Sequence, residues 1–119
     1  RLASVAGIDL ATDAWRGREL LAPCFGVTVA GTTGSGDCTI AGFLAAVLRG
    51  AAPEAAMRTA VAVGACSVER PDAAGGVPAW DDLQRRLAGP WPQRPSALDL
   101  PGWRFDPGGG LWHGPADRT

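Results

Sequence analysis

Gly31-Thr32-Thr33-Gly34-Ser35-Gly36-Asp37 sets six small or hydroxylated residues ahead of one carboxylate. The run Gly26–Ala30 (GVTVA) before it is rich in β-branched residues and reads as a strand. After it, Asp37–Arg49 has a helical period, with Ile40, Phe43, Leu44, Val47 and Leu48 at i, i+3, i+4, i+7 and i+8. A strand, a glycine-rich turn and a helix start together make an anion-binding device. The first N–H groups of a helix lack internal partners, the helix dipole adds positive charge there, and small residues let a phosphate come close to the backbone.

Two familiar phosphate loops are excluded. Gly31 and Gly36 have the Walker A spacing, but Asp37-Cys38 stand where Lys and Ser/Thr must be. The dinucleotide pattern G-x-G-x-x-G does not occur in this segment. A turn whose helix begins with a carboxylate suits phosphoryl transfer to a hydroxyl. Amides steady the transferring group and Asp37 accepts the hydroxyl proton. The plainer alternative is that Asp37 merely favours a helix start, and that the glycines merely make a tight turn.

The surrounding elements must position this turn. Val5–Thr12 and Gly17–Cys24 read as short strands joined by a polar turn at Asp13-Ala14-Trp15-Arg16. Gly50 is a helix stop. Pro53-Glu54 opens a second, Ala- and Val-rich helix that runs to about Glu69 and ends at Pro71. Residues 71–78 form a loop, and Trp80–Leu87 a third, more polar helix on which Arg85-Arg86 read as a solvated face. Residues 90–119 hold Pro, Gly and Trp with no sustained period and read as an extended tail.

Thr32-Thr33-Gly34-Ser35-Gly36-Asp37, followed by Ala41-Gly42-Phe43, resembles the C-terminal signature of the ribokinase-like (PfkB) carbohydrate kinases, D-T-x-G-A-G-D with a helix that often carries x-x-G-F. The resemblance covers roughly Val5–Leu87. It implies an α/β, ribokinase-like three-layer fold, of which residues 1–89 would be the C-terminal, nucleotide- and phosphate-side portion and residues 90–119 a tail. It implies ATP-dependent phosphorylation of a sugar or nucleoside hydroxyl, with Mg²⁺ bridging the ATP phosphates. Asp37 matches the catalytic base, and Gly34, Ser35 and Gly36 the anion hole. Nucleotide contacts fall on Thr32, on Gly7 of a G-x-x-G-like element in which Ser4 replaces the first glycine, on Ser67, and on Gly75 and Gly76 of the loop that encloses adenine. Gly31 stands where the signature usually has the Asp of a monovalent-cation site, which leaves that site without its carboxylate. Ser35 replaces the usual Ala. The family's sugar pocket, β-sheet lid and Mg²⁺-associated N-x-x-E motif lie upstream of this segment, so the chain is expected to expose apolar surface and to pack on the remainder of its own domain or on another chain, a homodimer included.

Composition narrows the classes further. The chain has 119 residues, 46% hydrophobic and 19% charged, which suits one small globular domain. Eleven basic against 12 acidic residues argue against a dedicated nucleic-acid binder. All the basic residues are Arg, so no lysine Schiff base or P-loop lysine is available from this chain. No apolar run approaches the ~20 residues that span a bilayer, and Arg1–Gly7 has no long apolar signal core. Cys24, Cys38 and Cys66 are widely spaced and His113 is the one histidine, so neither a zinc site nor a disulfide framework is expected, and a cytoplasmic setting is. Two other classes stay open: a truncated or inactive kinase remnant that only binds nucleotide, and an interaction module that uses its Trp/Pro-rich tail.

Overall fold

Pro53 occupies the first helical turn, where its missing N–H costs nothing, and Glu54 follows at the positive dipole end. From there a run of Ala, Val and Gly forms the longest helix of the computed structural model, which describes residues 12–71, 76–95 and 99–117. The elements in chain order are α1 (Thr12–Trp15), β1 (Leu20–Leu21), α2 (Ser35–Leu48), α3 (Pro53–Val68), α4 (Trp80–Ala88), β2 (Arg104–Asp106) and β3 (Leu111–His113). No helix among the described residues is long and apolar enough to cross a membrane.

The helix ends follow local chemistry. Gly34 precedes α2 with φ 78°, a left-handed conformation that side chains resist. At the other end Gly50, also at φ 78°, lets its N–H reach Val47 O and the Ala51 N–H reach Ala46 O, both at 3.0 Å. The chain then turns back, and α2 and α3 pack along their length. Small residues permit the close approach: a Cβ on Gly42 would stand 2.7 Å from Val63 Cγ2, and one on Gly64 would collide with Thr39 Oγ1. Ala56, Ala60, Ala62 and Val63 of α3 are buried.

The core gathers where α3 meets α4. Phe25, Val63, Cys66, Leu83 and Leu87 form one buried cluster, with Trp91 packed against it. Each of the Phe, Val and Leu side chains contributes about 1.5–3 kcal/mol on burial. Burial also pushes the Cys66 thiol up from its ordinary pKa. Stacking of Phe25 on Trp91, with ring centroids 4.3 Å apart, draws the segment after α4 against the segment before α2.

The β structure differs from the sequence reading. β1, β3 and β2 form an antiparallel sheet in that order, pairing Leu20 with His113, Leu21 with Trp112, and Phe105 with Trp112. Gly17–Cys24 contributes only Leu20–Leu21. Residues 5–11 lie outside the described residues, Thr12 begins α1, and Asp13–Trp15 are helical rather than a turn. Gly26–Ala30 is extended but joins no ladder. It is held at its ends, by Gly26 N–H to Pro92 O (2.8 Å) and Ala30 N–H to Val68 O (2.7 Å). A β-branched run becomes a ladder strand only where a partner strand lies beside it, and among the described residues none does.

The Pro/Gly/Trp-rich segment, read as an extended tail, contributes β2 and β3. Its described residues return to β1 and close on a buried charge cluster. Asp117, whose side chain is 1% exposed, accepts hydrogen bonds from Arg18 Nε (2.9 Å) and the Glu19 N–H (2.8 Å), and its other oxygen lies 2.8 Å from His113 Nδ1. Arg18 also reaches Glu54 Oε1 at 3.1 Å, which ties α3 into the same network. The Asp117 hydrogen bond, ahead of Glu54, holds the Arg18 guanidinium above its already high pKa.

Candidate functional site

Asp37 lies in the first turn of α2, exposed, three residues after left-handed Gly34. The turn is built in steps. Thr32 O accepts the Ser35 N–H at 3.2 Å, and Gly34 O accepts the Cys38 N–H at 3.0 Å as the first helical bond. Among the described residues the Gly36 and Asp37 amides find no backbone acceptor, as expected for helix-start donors. Of the residues matched to the anion hole, Ser35 therefore does not offer its amide outward, because it is used inside the turn. Gly36 is exposed, and a Cβ placed there would meet nothing within 4 Å. The open edge of the turn is thus Gly36-Asp37, with exposed Thr32 and Thr33 beside it.

α3 carries the turn from behind. Val68 O accepts both the Ala30 N–H (2.7 Å) and the Gly31 N–H (3.2 Å). A Cβ on Gly31 would stand 3.0 Å from Pro71 O and 3.1 Å from Pro71 Cα, so the close approach of two backbones accounts for glycine at this position. On the inner side, Thr39 Oγ1–H donates to Ser35 O at 2.8 Å. A cavity of about 260 Å³ opens there, lined by Phe25, Val27, Val29, Ser35, Thr39 and Val68 among others.

The residues expected on the nucleotide side divide. Gly7 and Gly75 lie outside the described residues. Gly76 lies against Cys66 O so closely that no Cβ fits. Ser67 does not offer its hydroxyl outward: it is 2% exposed and donates to Gly64 O at 2.7 Å, within its own helix. Its short side chain serves packing at the end of α3.

Sequence reasoning missed a group beside this region. Arg86 of α4, read as solvated, donates to both oxygens of Glu69, at 2.6 and 2.9 Å. Its guanidinium lies 3.8 Å from the centre of the Trp91 ring. The Arg86 hydrogen bonds hold the Glu69 carboxyl below the usual glutamate range, against the opposing effect of burial. No spacing signal links residues 69, 86 and 91, because they meet only through the packing of α4 on α3.

Ile40, Leu44 and Leu48 form an exposed apolar stripe at i, i+4 and i+8 along α2, and Val29 is exposed as well. Among the described residues there is no group of three or more His, Cys, Asp or Glu that could hold a metal ion.

Comparison with known proteins finds a family. The family model described as pfkB family carbohydrate kinase matches residues 4–80, a span that contains the turn, α2 and α3 and stops at the start of α4. No curated protein and no solved structure matches the chain.

Proposed function

Because the chain belongs to the pfkB family of carbohydrate kinases, we propose that it serves ATP-dependent phosphorylation of a sugar or nucleoside hydroxyl, with Asp37 as the general base. The observation that carries this reading is an exposed carboxylate in the first turn of a helix entered through left-handed Gly34, inside the span matched by the family.

A triphosphate fits the residues present. Among the described residues the Gly36 and Asp37 amides are free of backbone acceptors, and the side of Gly36 is open. Mg²⁺ bound to the ATP phosphates would supply charge neutralisation to the transferring group. With no carboxylate cluster among the described residues, the nucleotide rather than the turn would carry the ion. Asp37 takes the proton from the acceptor hydroxyl as its oxygen approaches phosphorus, and the α2 amides face the charge on the phosphoryl oxygens. The adenine would rest against the end of α3 near Gly76, with Ser67 shaping the floor by its size rather than by its hydroxyl.

The described residues are read as the nucleotide-side portion of a larger kinase body. The stripe at Ile40, Leu44 and Leu48 supports this reading, since apolar residues at helical spacing are usually covered. The acceptor pocket would then come from the body that covers α2.

Steady-state phosphorylation by the longer kinase that supplies the acceptor pocket, over a panel of sugars and nucleosides, tests the assignment, with ATP affinity measured separately. Asp37→Asn is expected to lower kcat by ~10²–10⁴-fold and to leave ATP binding intact, because the base acts in the transition state. Near-normal turnover in Asp37→Asn would reduce Asp37 to a helix-start acid and sink the mechanism.

A further inference from the structure

The segment Phe25–Gly31 leads directly into the turn and is gripped at both ends. At its start, Trp91 Nε1–H donates to Gly26 O at 3.0 Å, Trp91 stacks on Phe25, and Gly26 N–H donates to Pro92 O. At its end, the Ala30 and Gly31 amides both donate to Val68 O. The two grips belong to different parts of the chain, one after α4 and the other at the end of α3. Arg86 joins them. One edge of its guanidinium takes the Glu69 carboxylate, next to Val68, and its face lies over the Trp91 ring. A third contact, 3.5 Å from Nη1 to Cys66 Sγ, fixes it against α3.

We infer that Arg86 is a positioning residue for the Gly31–Asp37 turn, acting through Glu69 and Val68 on one side and Trp91 and Gly26 on the other. The role rests on the kinase reading of that turn, but the clamp itself is a property of the fold. Only arginine suits it. A planar guanidinium offers a two-pronged edge to a carboxylate and a flat face to an indole at once, which an ammonium does not. The Arg86 and Glu69 side chains are 38% and 32% exposed. A pair so open to water adds little to global stability, so its effect falls on the placement of the segment it spans.

Amide hydrogen exchange on the full chain, read residue by residue, tests this without depending on catalysis. Arg86→Met is expected to speed exchange at Ala30 and Gly31 by about tenfold or more. Ala46 and Ala62, in the α2–α3 core, should keep their rates. Glu69→Gln should speed Ala30 and Gly31 in the same direction, and Arg86→Lys should fall between wild type and Arg86→Met. Unchanged exchange at Ala30 and Gly31, or equal acceleration at Ala46 and Ala62, overturns the inference, the second outcome marking a general loss of stability. Binding of a non-hydrolysable ATP analogue with Mg²⁺ completes the test: it should weaken in Arg86→Met and recover partly in Arg86→Lys. Absence of analogue binding to the wild-type chain would sink the kinase reading instead, while the exchange rates would still decide whether Arg86 clamps the segment. Equal analogue binding by wild type and Arg86→Met would overturn the positioning role.

Discussion

Gly42 of α2 and Val63 of α3 stand opposite each other where the two helices pack closely. A Cβ on Gly42 would lie 2.7 Å from Val63 Cγ2 and 2.8 Å from Val63 Cβ. The glycine that follows the turn in the sequence signature is therefore a packing residue. It sets the distance between the helix that bears Asp37 and the helix whose end holds Ala30 and Gly31.

Gly42→Ala pits two effects against each other. Alanine favours the helix by about 1 kcal/mol, while forcing a methyl into a packed crossing costs about 1–3 kcal/mol. The β-branched Val63 cannot rotate away freely, so net destabilisation is expected. Urea unfolding should show a lower midpoint for Gly42→Ala and partial recovery in Gly42→Ala/Val63→Ala.

Gly36→Ala should separate stability from ligand binding. Nothing lies within 4 Å of the added methyl, and the position is helical. Stability should hold or rise by up to about 1 kcal/mol. The same methyl would stand at the open edge of the turn, so affinity for MgATP should fall. Calorimetric titration beside thermal melting checks both halves, and unchanged affinity would remove Gly36 from the phosphate site.

Asp117→Ala should be the most damaging single change in the C-terminal segment. Its carboxylate accepts from Arg18 Nε and the Glu19 N–H and contacts His113, and the Arg18 and Asp117 side chains are 8% and 1% exposed. Removing one partner leaves a buried guanidinium with less compensation, an effect of about 3–5 kcal/mol. Urea unfolding should show the loss, and proteolysis should cut the β2–β3 hairpin sooner than in the wild type.

Glu69 predicts a pH dependence with a definite sign. Its carboxyl is held below the ordinary range in the folded chain, chiefly by the Arg86 hydrogen bonds. A lowered carboxylate contributes stability that is present above its unfolded pKa and lost as pH falls through the folded value. Arg86 stays charged across this range, so the loss follows protonation of Glu69. The excess of amide exchange at Ala30 and Gly31 in Glu69→Gln over wild type should therefore be larger at about pH 7 than at about pH 3, below the ordinary glutamate value of ~4.3. An equal mutant-to-wild-type ratio under the two conditions would contradict the assignment.

The sequence by itself was enough for the local elements that carry the site. Their causes are local: Pro53 at a helix start, Gly50 at a helix stop, the 3.6-residue period of Ile40–Leu48, and the Gly-x-Gly-Asp turn. The resemblance drawn from that turn agrees with the family that the comparison found over residues 4–80. Tertiary structure decided the rest, because the deciding contacts join residues far apart in the chain. Gly26–Ala30 had β character but no strand to pair with. Leu111–His113 sat among Gly and Pro, too short for a visible period, yet gained two neighbours, β1 and β2. Ser67 looked available and is buried, while Arg86 looked solvated and spans Glu69 and Trp91. A periodicity reports which face of a helix is apolar. It cannot report which charged side chain on the other face will meet a carboxylate seventeen residues away, because that meeting exists only after α4 has packed on α3.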